Sequence, residues 1–484
     1  MKKDIVILWY KKDLRIRDHQ PLCAAIQSGL PVLAIHLTEP ELEQYPDSSK
    51  RHWNFTYESI MDINKQLHHT FIYSFKAGAE AIFTQLAKHY NIKAVYSHQE
   101  IGNKISYLRD LQMAKWFLAN HIRWVEYPTN GIIRGLKHRN NYQQHWHKVM
   151  DAPLQMPDLR QLQIIQPHSE ILSSCAHMDS YECAHRQNLM QPGGESAAHS
   201  YLKSFLDSRH TTYMRHISKP EASRTSCSRI SPYLTYGNVS MRQVYQETMA
   251  AKNNAVSRRS LHAFISRLHW HDHFIQKFES HCAMEFDNVN PGYNGTRTET
   301  NVAWLEAWKQ GQTGFPLIDA TMRCLHATGY INFRMRSMLV SFLTHHLWQP
   351  WQSGVHHLAR LFIDYEPGIH YPQFQMQAAT FGVHTIRIYN PEKQALEQDP
   401  DGTFIKKWLP ELANCPTSFI HKPYALSALE RRLITDPAFH EYPLPIINLT
   451  ERARMAREQL WKLKGSKLVR ANTGKILRRL SNPE

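Results

Sequence analysis

The sequence has little cysteine, and the cysteines follow no metal-binding or disulfide pattern. There are seven, scattered and odd in number, and they form no C-x-x-C pair. This spacing predicts reduced thiols, mostly in the core, in a reducing compartment. Histidines occur as adjacent pairs such as His345-His346, and neighbours in sequence do not share a helix face. We therefore expect no metal site.

Long apolar runs are also missing. No segment approaches the ~20 apolar residues that a membrane-spanning helix needs. The start, Met1-Lys2-Lys3-Asp4, lacks the apolar core of a signal peptide. We expect a cytoplasmic protein with no membrane partner.

Acidic residues are outnumbered by basic ones. Asp and Glu total 42 against 57 Lys and Arg, which gives a net charge of +15 over 484 residues. This excess favours an anionic partner, such as nucleic acid or a phosphate-bearing cofactor. A basic enzyme without a polyanion partner would have the same composition, so both interpretations stay open. The length predicts two domains or one large double-layered domain.

The first third of the chain alternates apolar strands with helices. The pattern predicts strands at 4–9, 31–37, 70–75 and 94–97, and helices at 20–29, 51–67 and 79–89. This alternation predicts a doubly wound parallel sheet through about residue 130. Ligands bind at the carboxyl ends of such strands. The polar residues after the first strand would then lie at a ligand-accessible edge or form a solvated basic loop: Lys11, Lys12, Asp13, Arg15 and Arg17.

The rest of the chain reads as a connector followed by helices. Prolines and polar clusters between about 150 and 198 predict a segment that wraps the surface. Helical periodicity then appears at 203–207, 241–250, 260–278, 304–310, 317–328, 334–348 and 355–363. We expect an α/β domain at 1–135, a connector at 136–198 and an all-α domain at 199–484. The last segment contains a predicted helix at 451–464. Its basic end either contacts nucleic acid or is a solvated tail, and we favour the solvated tail.

Two stretches carry chemistry. Asp364 and Glu366 lie in an aromatic-rich region, where a carboxylate needs a fixed cation, and Arg336 is the expected partner of Asp364. Asp319, Arg323 and Arg334 are spaced along the same amphipathic runs. The segment 224–234, Arg-Thr-Ser-Cys-Ser-Arg-Ile-Ser-Pro-Tyr-Leu, opens a helix. Hydroxyls and free backbone N–H groups there either cap the helix or hold phosphate oxygens.

The whole set of motifs resembles the photolyase/cryptochrome family. The resemblance runs from Leu8-Trp9-Tyr10-Lys11-Lys12-Asp13-Leu14-Arg15 to Lys406-Lys407-Trp408-Leu409-Pro410-Glu411-Leu412, with the motifs in the family's order. It implies an N-terminal α/β domain and an all-α C-terminal domain that binds FAD.

The resemblance also assigns residues to the cofactor. It places the FAD diphosphate at Cys227, Ser228, Arg229, Ile230 and Ser231, and the remaining contacts at Tyr213, His271, Arg336, Asp364, Tyr365 and Glu366. Cys227 stands where threonine is usual, and His271 where arginine is usual. The position beside the reactive flavin nitrogen is His370 or Tyr371.

At the positions that contact damaged bases, the chain departs from the family. Arg267, followed by Trp270, replaces the glutamate of the E-x-x-W pattern. Phe333 and Ser337 replace the family's asparagine and methionine. Photolyases that repair the pyrimidine lesion other than the cyclobutane dimer carry two histidines at these positions. Arg267 could equally be a surface cation in an unrelated helix. We weight the pocket interpretation more because Arg267 lies one turn before Trp270 on the same face.

The resemblance also bears on electron supply and on light harvesting. Trp351 matches the middle tryptophan of the electron-transfer chain, whereas the position nearest the flavin is Phe374 or Gln375. A second, antenna chromophore of unknown identity is implied by Gln99-Glu100-Ile101-Gly102-Asn103 and Arg109-Asp110. The residue pair that holds a folate antenna has no counterpart at Ile105 and Ser106.

Three functions remain open. The first is a cryptochrome-like blue-light flavoprotein, photoreduced through aromatic residues, that signals to an unknown partner through residues 267–274 or the basic end. The second is a light-dependent DNA photolyase, a carbon–carbon lyase, with an atypical pocket; the net charge favours DNA, and Gln394 would face it. The third is a nucleotide-binding protein without photochemistry.

Overall fold

The structure is a computed structural model that describes residues 2–174, 189–254 and 256–480. Cys175 and Cys183, two of the predicted reduced thiols, lie outside these ranges. The five cysteines within them are free thiols, and Cys227, Cys324 and Cys415 are buried. In the described ranges no helix is both long enough and apolar enough to cross a membrane.

The N-terminal part is a five-stranded sheet in which every pairing is parallel. Its strands are β1 (Lys3–Tyr10), β2 (Val32–Leu37), β3 (Ile72–Phe75), β4 (Tyr90–His98) and β5 (Arg123–Tyr127), in the order β3-β2-β1-β4-β5. β1 and β2 are buried almost throughout, because helices cover both faces, and this explains their continuous apolar sequence. The predicted doubly wound sheet is confirmed.

Helices connect these strands. They span Gln20–Gln27, Lys50–Gln66, Ala79–His89 and Lys104–Ala119, with a short helix at Pro40–Glu43. The strand order reverses between β1 and β4. In open α/β sheets, ligands bind in the crevice outside the carboxyl ends of the strands at such a reversal. Here that crevice lies beyond Tyr10 and His98.

The second part is helical, as predicted. Its main helices are Glu195–Asp207, Met241–Asn254, Arg258–Ser280, Val302–Gln310, Pro316–Thr328, Phe333–Ser341, Gln352–Leu361, Pro367–Gln377, Pro391–Gln398, Thr403–Trp408, Leu449–Lys464 and Lys467–Leu480. Shorter helices in the cofactor region lie between the first two of these, at Tyr213–His216, Ser223–Ser226 and Ser231–Thr235. Trp308 and Met338 are among the fully buried residues of its core.

The helix predicted over 334–348 is interrupted. The α-helix ends at Ser341, a π-helical turn follows at Phe342–His346, and Trp348 takes a positive φ of 55°. Periodicity did not reveal the widened turn, because its residues are as buried as those of a regular helix. The next helix likewise ends at Leu361, and the chain leaves it just before Asp364.

The basic side chains near the C-terminus are solvated as expected, for example Lys467, Arg470 and Lys475, but the segment that carries them is not a loose tail. The last described residues form two helices, and Val469, Ile476 and Leu480 bury one face of the second. Asn290 Nδ2 donates a hydrogen bond to the Val469 carbonyl at 3.1 Å, which fastens this helix to the body of the protein. The apolar stripe is narrow, so the many Lys and Arg residues between its members conceal it in the sequence.

Candidate cofactor site

The centre of the site is an ion pair between Arg336, in the first turn of the helix Phe333–Ser341, and Asp364, which follows the helix Gln352–Leu361. Arg336 Nη2 donates to both carboxylate oxygens of Asp364, at 2.9 and 2.8 Å. Its Nε donates to the Ile331 carbonyl at 3.0 Å, and its guanidinium lies 4.1 Å from the centre of the Phe362 ring. The cation is therefore fixed on three sides, and the Asp364 side chain is only 4% exposed. Such charge-assisted hydrogen bonds are among the strong ones in proteins.

The segment resembling the diphosphate-binding stretch lies directly against this pair. Ser231 Oγ donates to Asp364 Oδ2 at 2.6 Å, and Thr235 Oγ1 donates to the Asp364 backbone carbonyl at 3.4 Å. The helix Ser231–Thr235 begins at this contact. The structure thus brings together two predicted parts of the site that are 133 residues apart in sequence.

Arg229 has an unusual backbone and an incompletely satisfied side chain. Its φ is +59°, a left-handed conformation that is uncommon outside glycine and often marks functional sites. Its guanidinium lies 3.8 Å from the centre of the Tyr330 ring, and Nη1 donates to the Arg224 carbonyl. Its Nε is buried and has no partner among the described residues. A donor in this state is available to an anionic ligand.

Two further arginines surround the same segment and donate to carbonyl oxygens. Arg209 donates to the carbonyls of Tyr201 (2.6 Å), Thr225 (3.2 Å), Ser228 (3.3 Å) and Cys227. Arg224 Nη1 donates to the Tyr330 carbonyl at 3.2 Å. Burial lowers the pKa of both Arg209 and Arg229, yet an arginine keeps its proton in proteins. The cluster is therefore rich in positive charge and fits the diphosphate of FAD.

Tyr213 lies between this cluster and the middle of the helix Arg258–Ser280, where Arg267 is located. Tyr213 is buried, and its ring packs edge-on against Phe205 and Phe264. Burial raises the pKa of Tyr213, and a hydrogen bond with Arg267 opposes the rise. Burial also raises the pKa of Cys227 to about 12, so this residue remains a neutral thiol.

The three consecutive residues Asp364, Tyr365 and Glu366 face three different environments. Asp364 faces Arg336, as described. The Tyr365 hydroxyl donates to Asp47 Oδ2 at 2.5 Å, on the side of the sheet. Glu366 lies 3.7 Å from Lys12 Nζ and caps the next helix by accepting from the Gly368 N–H. Only one of the two predicted acidic contacts is thus on the arginine side.

The predicted lesion-contacting residues are mostly at the surface. Arg267 is exposed, and Trp270 and Phe333 are 45% and 49% exposed. Ser337 is buried, and its hydroxyl has no partner among the described residues. His271 Nδ1 lies 3.2 Å from Asp272 Oδ1, and its Nε2 is likewise buried and unpartnered in the described chain. The exposed aromatic pair can offer ring faces to a ligand.

The aromatic residues proposed for electron transfer form a connected row. Trp351 is buried, donates to Asn288 Oδ1 at 2.8 Å, and lies 6.3 Å from Phe374 between ring centres. Phe374 lies 5.6 Å from His370. His370 Nε2 is 2.9 Å from the Val355 carbonyl, and burial lowers the pKa of His370 to about 4, so the ring is neutral and Nε2 carries its hydrogen. Tyr371 is completely buried.

A different arrangement occupies the sheet edge, where an antenna was expected. Arg109 donates to Asp110 at 2.9 Å and, through shorter contacts, to Glu39 and Glu100. Lys11 Nζ donates to Asp110 at 2.8 and 3.0 Å. Lys11, Glu39, Glu100 and Arg109 line part of a cavity of about 130 Å³ between the sheet and the helical region. The charges at this edge are thus largely paired with one another.

Asp13, behind this network, is held by two histidines. Its Oδ2 lies 2.9 Å from His19 Nε2 and 2.7 Å from His98 Nδ1. His19 Nδ1 accepts from the Leu22 N–H, so Nε2 carries the hydrogen and donates to Asp13. Burial opposes the effect, but the two histidines hold the pKa of Asp13 well below its usual range. The trio is a hydrogen-bonded cluster within the sheet domain.

Other residues singled out in the sequence have structural partners. Asp319 accepts from Thr313 N, Gly314 N and the Tyr442 hydroxyl, and so fixes the turn before its own helix. Gln394 is 8% exposed and accepts from Arg334 Nη1 at 3.0 Å. Its role towards DNA stays a prediction.

Sequence reasoning missed Asp47 and Tyr330. Tyr330 stands in the segment Gly329-Tyr330-Ile331-Asn332-Phe333-Arg334, and the arginines that follow it, Arg334 and Arg336, were the only signal in the sequence. Asp47 lies in the loop Pro46-Asp47-Ser48-Ser49, and nothing in that loop indicates a partner 318 residues away.

Comparison with known proteins gives a consistent result. A family model described as "DNA photolyase" matches residues 6–151, and one described as "FAD binding domain of DNA photolyase" matches residues 264–462. Cryptochrome DASH of Synechocystis sp. is 27% identical over 94% of this chain and 97% of its own. A deoxyribodipyrimidine photo-lyase of Alkalihalophilus pseudofirmus is 32% identical over 54% of each chain.

Solved structures agree on the fold. A cryptochrome from Synechocystis sp. PCC6803 superposes with a TM-score of 0.78 at 23% identity and covers 95% of this chain and 99% of its own. A class III photolyase from Agrobacterium tumefaciens superposes with a TM-score of 0.79 at 21% identity and covers 96% and 99%. Both neighbours support an α/β domain followed by a helical one.

Proposed function

The chain belongs to the photolyase/cryptochrome family, and we propose that it works as a cryptochrome-like flavoprotein that binds FAD and responds to blue light. The carrying observation is the contact between Ser231 and the Asp364–Arg336 pair. It lies beside Arg209, Arg224 and Arg229, which have no carboxylate partner among the described residues. We propose the division into an α/β domain (1–135), a connector (136–198) and the FAD-binding region (199–484).

The residues present divide the binding of FAD between them. Residues 227–231, which include Arg229, would hold the diphosphate. Arg336, fixed by Asp364, would lie on the flavin-ring side, and Tyr213 and His271 would complete the contacts. Bound FAD supplies blue-light absorption and the capacity to accept an electron. The protein orients it, excludes water and supplies the electron through buried aromatic residues, of which Trp351 is one.

Arg267 favours a signalling role. A fixed cation cannot accept the hydrogen bond that a glutamate accepts from a base edge. Neither Phe333 nor Ser337 transfers protons as a histidine does. A changed charge state of the flavin would then act on the surface formed by residues 267–274, which includes exposed Arg267 and Trp270, or on the last two helices, and so reach a partner.

The decisive experiment is an absorption spectrum of the purified protein before and after blue light. We expect the oxidised-flavin bands in the dark and their bleaching under illumination with a thiol present. The same sample, mixed with an oligonucleotide containing a thymine dimer, should show no light-dependent repair. A colourless protein, or flavin bands that light does not change, would contradict the proposal.

A DNA photolyase is the second candidate, and two observations favour it. The net charge is +15, and the exposed rings of Trp270 and Phe333 could stack on bases. The enzyme would then be a carbon–carbon lyase with an atypical lesion pocket, and Gln394 would approach DNA after a rearrangement. Robust repair turnover would establish this function in place of the first.

A second chromophore is also proposed, at the sheet edge. A structural neighbour, an archaeal photolyase from Sulfolobus tokodaii, contains two FAD molecules. In this chain the cavity beyond β1 and β4 measures about 130 Å³. An antenna bound there would have to displace side chains such as Trp53 or Arg109.

A further inference from the structure

The Tyr365 hydroxyl makes a short hydrogen bond inside the protein. It donates to Asp47 Oδ2 at 2.5 Å, and the two residues are 7% and 3% exposed. The same oxygen accepts from Asn103 Nδ2 at 3.1 Å and, more weakly, from the Tyr371 hydroxyl at 3.5 Å. All three donors are neutral, so these hydrogen bonds supply no cation to offset the negative charge of Asp47.

Tyr365 is also close to the predicted flavin side. It follows Asp364 directly, and its ring packs edge-on against His370 at 5.3 Å between centres. His370 in turn lies 6.0 Å from Phe362, the ring on which the Arg336 guanidinium rests. Two rings in contact therefore separate Tyr365 from the Arg336–Asp364 pair. The row from Trp351 passes through Phe374 before it reaches the same histidine.

We propose that Tyr365 is an electron donor to the photoexcited flavin and that Asp47 accepts its proton. This inference rests on the proposed function, because it requires bound, light-absorbing FAD. One electron leaves the phenol for the oxidised flavin, the phenolic O–H bond breaks, and a new O–H bond forms on Asp47 Oδ2. A neutral phenoxyl radical and a neutral carboxylic acid remain. A small thiolate then gives one electron to the phenoxyl radical and leaves as a thiyl radical, and Asp47 returns its proton to the tyrosine oxygen.

The phenolic proton of Tyr365 must be lost on oxidation, and this explains why the Asp47 carboxylate is needed. Burial, together with the charge of Asp47, raises the pKa of Tyr365 well above its usual value, so the phenol is protonated at neutral pH. Its oxidation must therefore release a proton, and a base already hydrogen-bonded to the hydroxyl removes the cost of finding one. Trp351 has no such base, because its N–H donates to the amide oxygen of Asn288.

Access for the thiol is present on the same side. Tyr365, Asp47 and His52 line the cavity of about 130 Å³ between the sheet and the helical region. His52 stacks on the Tyr365 ring at 5.7 Å. The side of Tyr365 that faces away from the flavin site is thus the one open to small molecules.

The test uses the full-length, FAD-loaded protein and four variants. Tyr365→Phe removes the donor and Asp47→Asn removes the base, while Trp351→Phe removes the rival donor. Tyr45→Phe is the matched control, because Tyr45 also donates to a carboxylate, Glu285, at 2.6 Å. Flavin photoreduction is followed by flash photolysis in H₂O and D₂O. The radical is identified by electron paramagnetic resonance on protein grown with ring-deuterated tyrosine.

We expect Tyr365→Phe and Asp47→Asn each to slow photoreduction by about a hundredfold, the low end of what a positioned base contributes. Tyr45→Phe should match the wild type, and Trp351→Phe should slow photoreduction less than Tyr365→Phe does. In the wild type, the rate should fall in D₂O and the radical spectrum should narrow on ring deuteration. These wild-type measurements show whether a tyrosine is the donor even where a variant fails to fold, and Tyr365→Phe then assigns the radical to Tyr365.

Two kinds of failure are distinguishable. A wild type that is photoreduced with no tyrosine radical and no solvent isotope effect overturns the role of Tyr365 and leaves the proposed function standing. The same holds if Tyr365→Phe keeps the wild-type rate. A wild type that binds no flavin, or whose flavin is unchanged by light, overturns both.

Discussion

The sheet edge and the candidate cofactor site around Asp364, called the cleft from here on, differ in how their charged side chains are paired. At the sheet edge, two cations are paired with three carboxylates: Lys11 and Arg109 with Glu39, Glu100 and Asp110. In the cleft, Arg209, Arg224 and Arg229 donate to backbone carbonyls, and Asp364 pairs with Arg336. Both of these sheet-edge cations have carboxylate partners, whereas Arg209, Arg224 and Arg229 have none among the described residues.

This difference indicates which region binds an anion obligatorily. Burying a charge without a partner costs several kcal/mol, whereas a paired and hydrogen-bonded charge roughly recovers that cost. A fold that buries Arg229 with an unpartnered Nε carries a cost that a diphosphate would relieve. An antenna at the sheet edge would instead compete with contacts that already exist, which predicts weaker and dispensable binding there.

The largest expected effect comes from breaking the sheet-edge network. Arg109→Gln would leave Glu39, Glu100 and Asp110 with one cation fewer, and removing one partner from a buried pair costs about 3–5 kcal/mol. We expect that loss in the free energy of unfolding in urea, with the FAD content of the folded protein unchanged. An FAD content that falls in proportion to stability would contradict the independence of the two regions.

Breaking the cleft should affect the cofactor first. Asp364→Asn removes the carboxylate that fixes Arg336 and accepts from Ser231, and we expect a loss of about 3 kcal/mol in FAD affinity. The measurement is the ratio of flavin to protein after purification, with affinity from titration of the flavin-free protein. Glu366→Gln is the matched change, because Glu366 faces Lys12. An equal loss in both variants would mean that Arg336 is not held by Asp364 in particular.

The fold was largely predictable from the sequence because a strand that is buried on both faces has a continuous apolar sequence. β1 and β2 are continuous apolar runs, and a helix over 79–89 was predicted with the bounds that the structure has. β5 was not predicted. Its sequence, Arg-Trp-Val-Glu-Tyr, belongs to an edge strand with no fully buried residue, so neither a continuous nor an alternating apolar pattern appears.

The site was predictable only where chemistry demanded a partner. A carboxylate among aromatic residues needs a cation, which led to the Asp364–Arg336 pair. No comparable rule leads to Asp47, because a loop aspartate is ordinarily a solvated turn residue. The direction in which Tyr365 points was equally hidden, since it depends on where the preceding helix ends at Leu361.

A smaller effect should follow from removing a single donor in the cleft. Arg229→Gln keeps part of the stacking on Tyr330 but loses the charge, and hydrogen bonds to charged groups contribute about 1.5–3 kcal/mol. We expect FAD affinity to fall by about that amount, with thermal stability of the flavin-free protein equal to or above that of the wild type. The flavin-free variant no longer buries the charge of Arg229, and this explains why its thermal stability should not fall. A flavin-free variant that is much less stable would show that Arg229 is structural.

The smallest effect concerns His36, a buried residue that lines the cavity at the sheet edge. Burial lowers the pKa of His36 to about 4, from a value near 6.5 in the unfolded chain. Because the folded pKa is depressed, the neutral ring contributes stability above pH 6.5, and this contribution is lost as pH falls towards 4. Between pH 7.5 and 5.5 the loss from this one residue should be about 1.3 kcal/mol. His36→Gln should reduce the change in unfolding free energy over that interval by the same amount, measured in urea at the two pH values. An unchanged pH dependence would mean that water in the cavity solvates the ring of His36 in the folded protein.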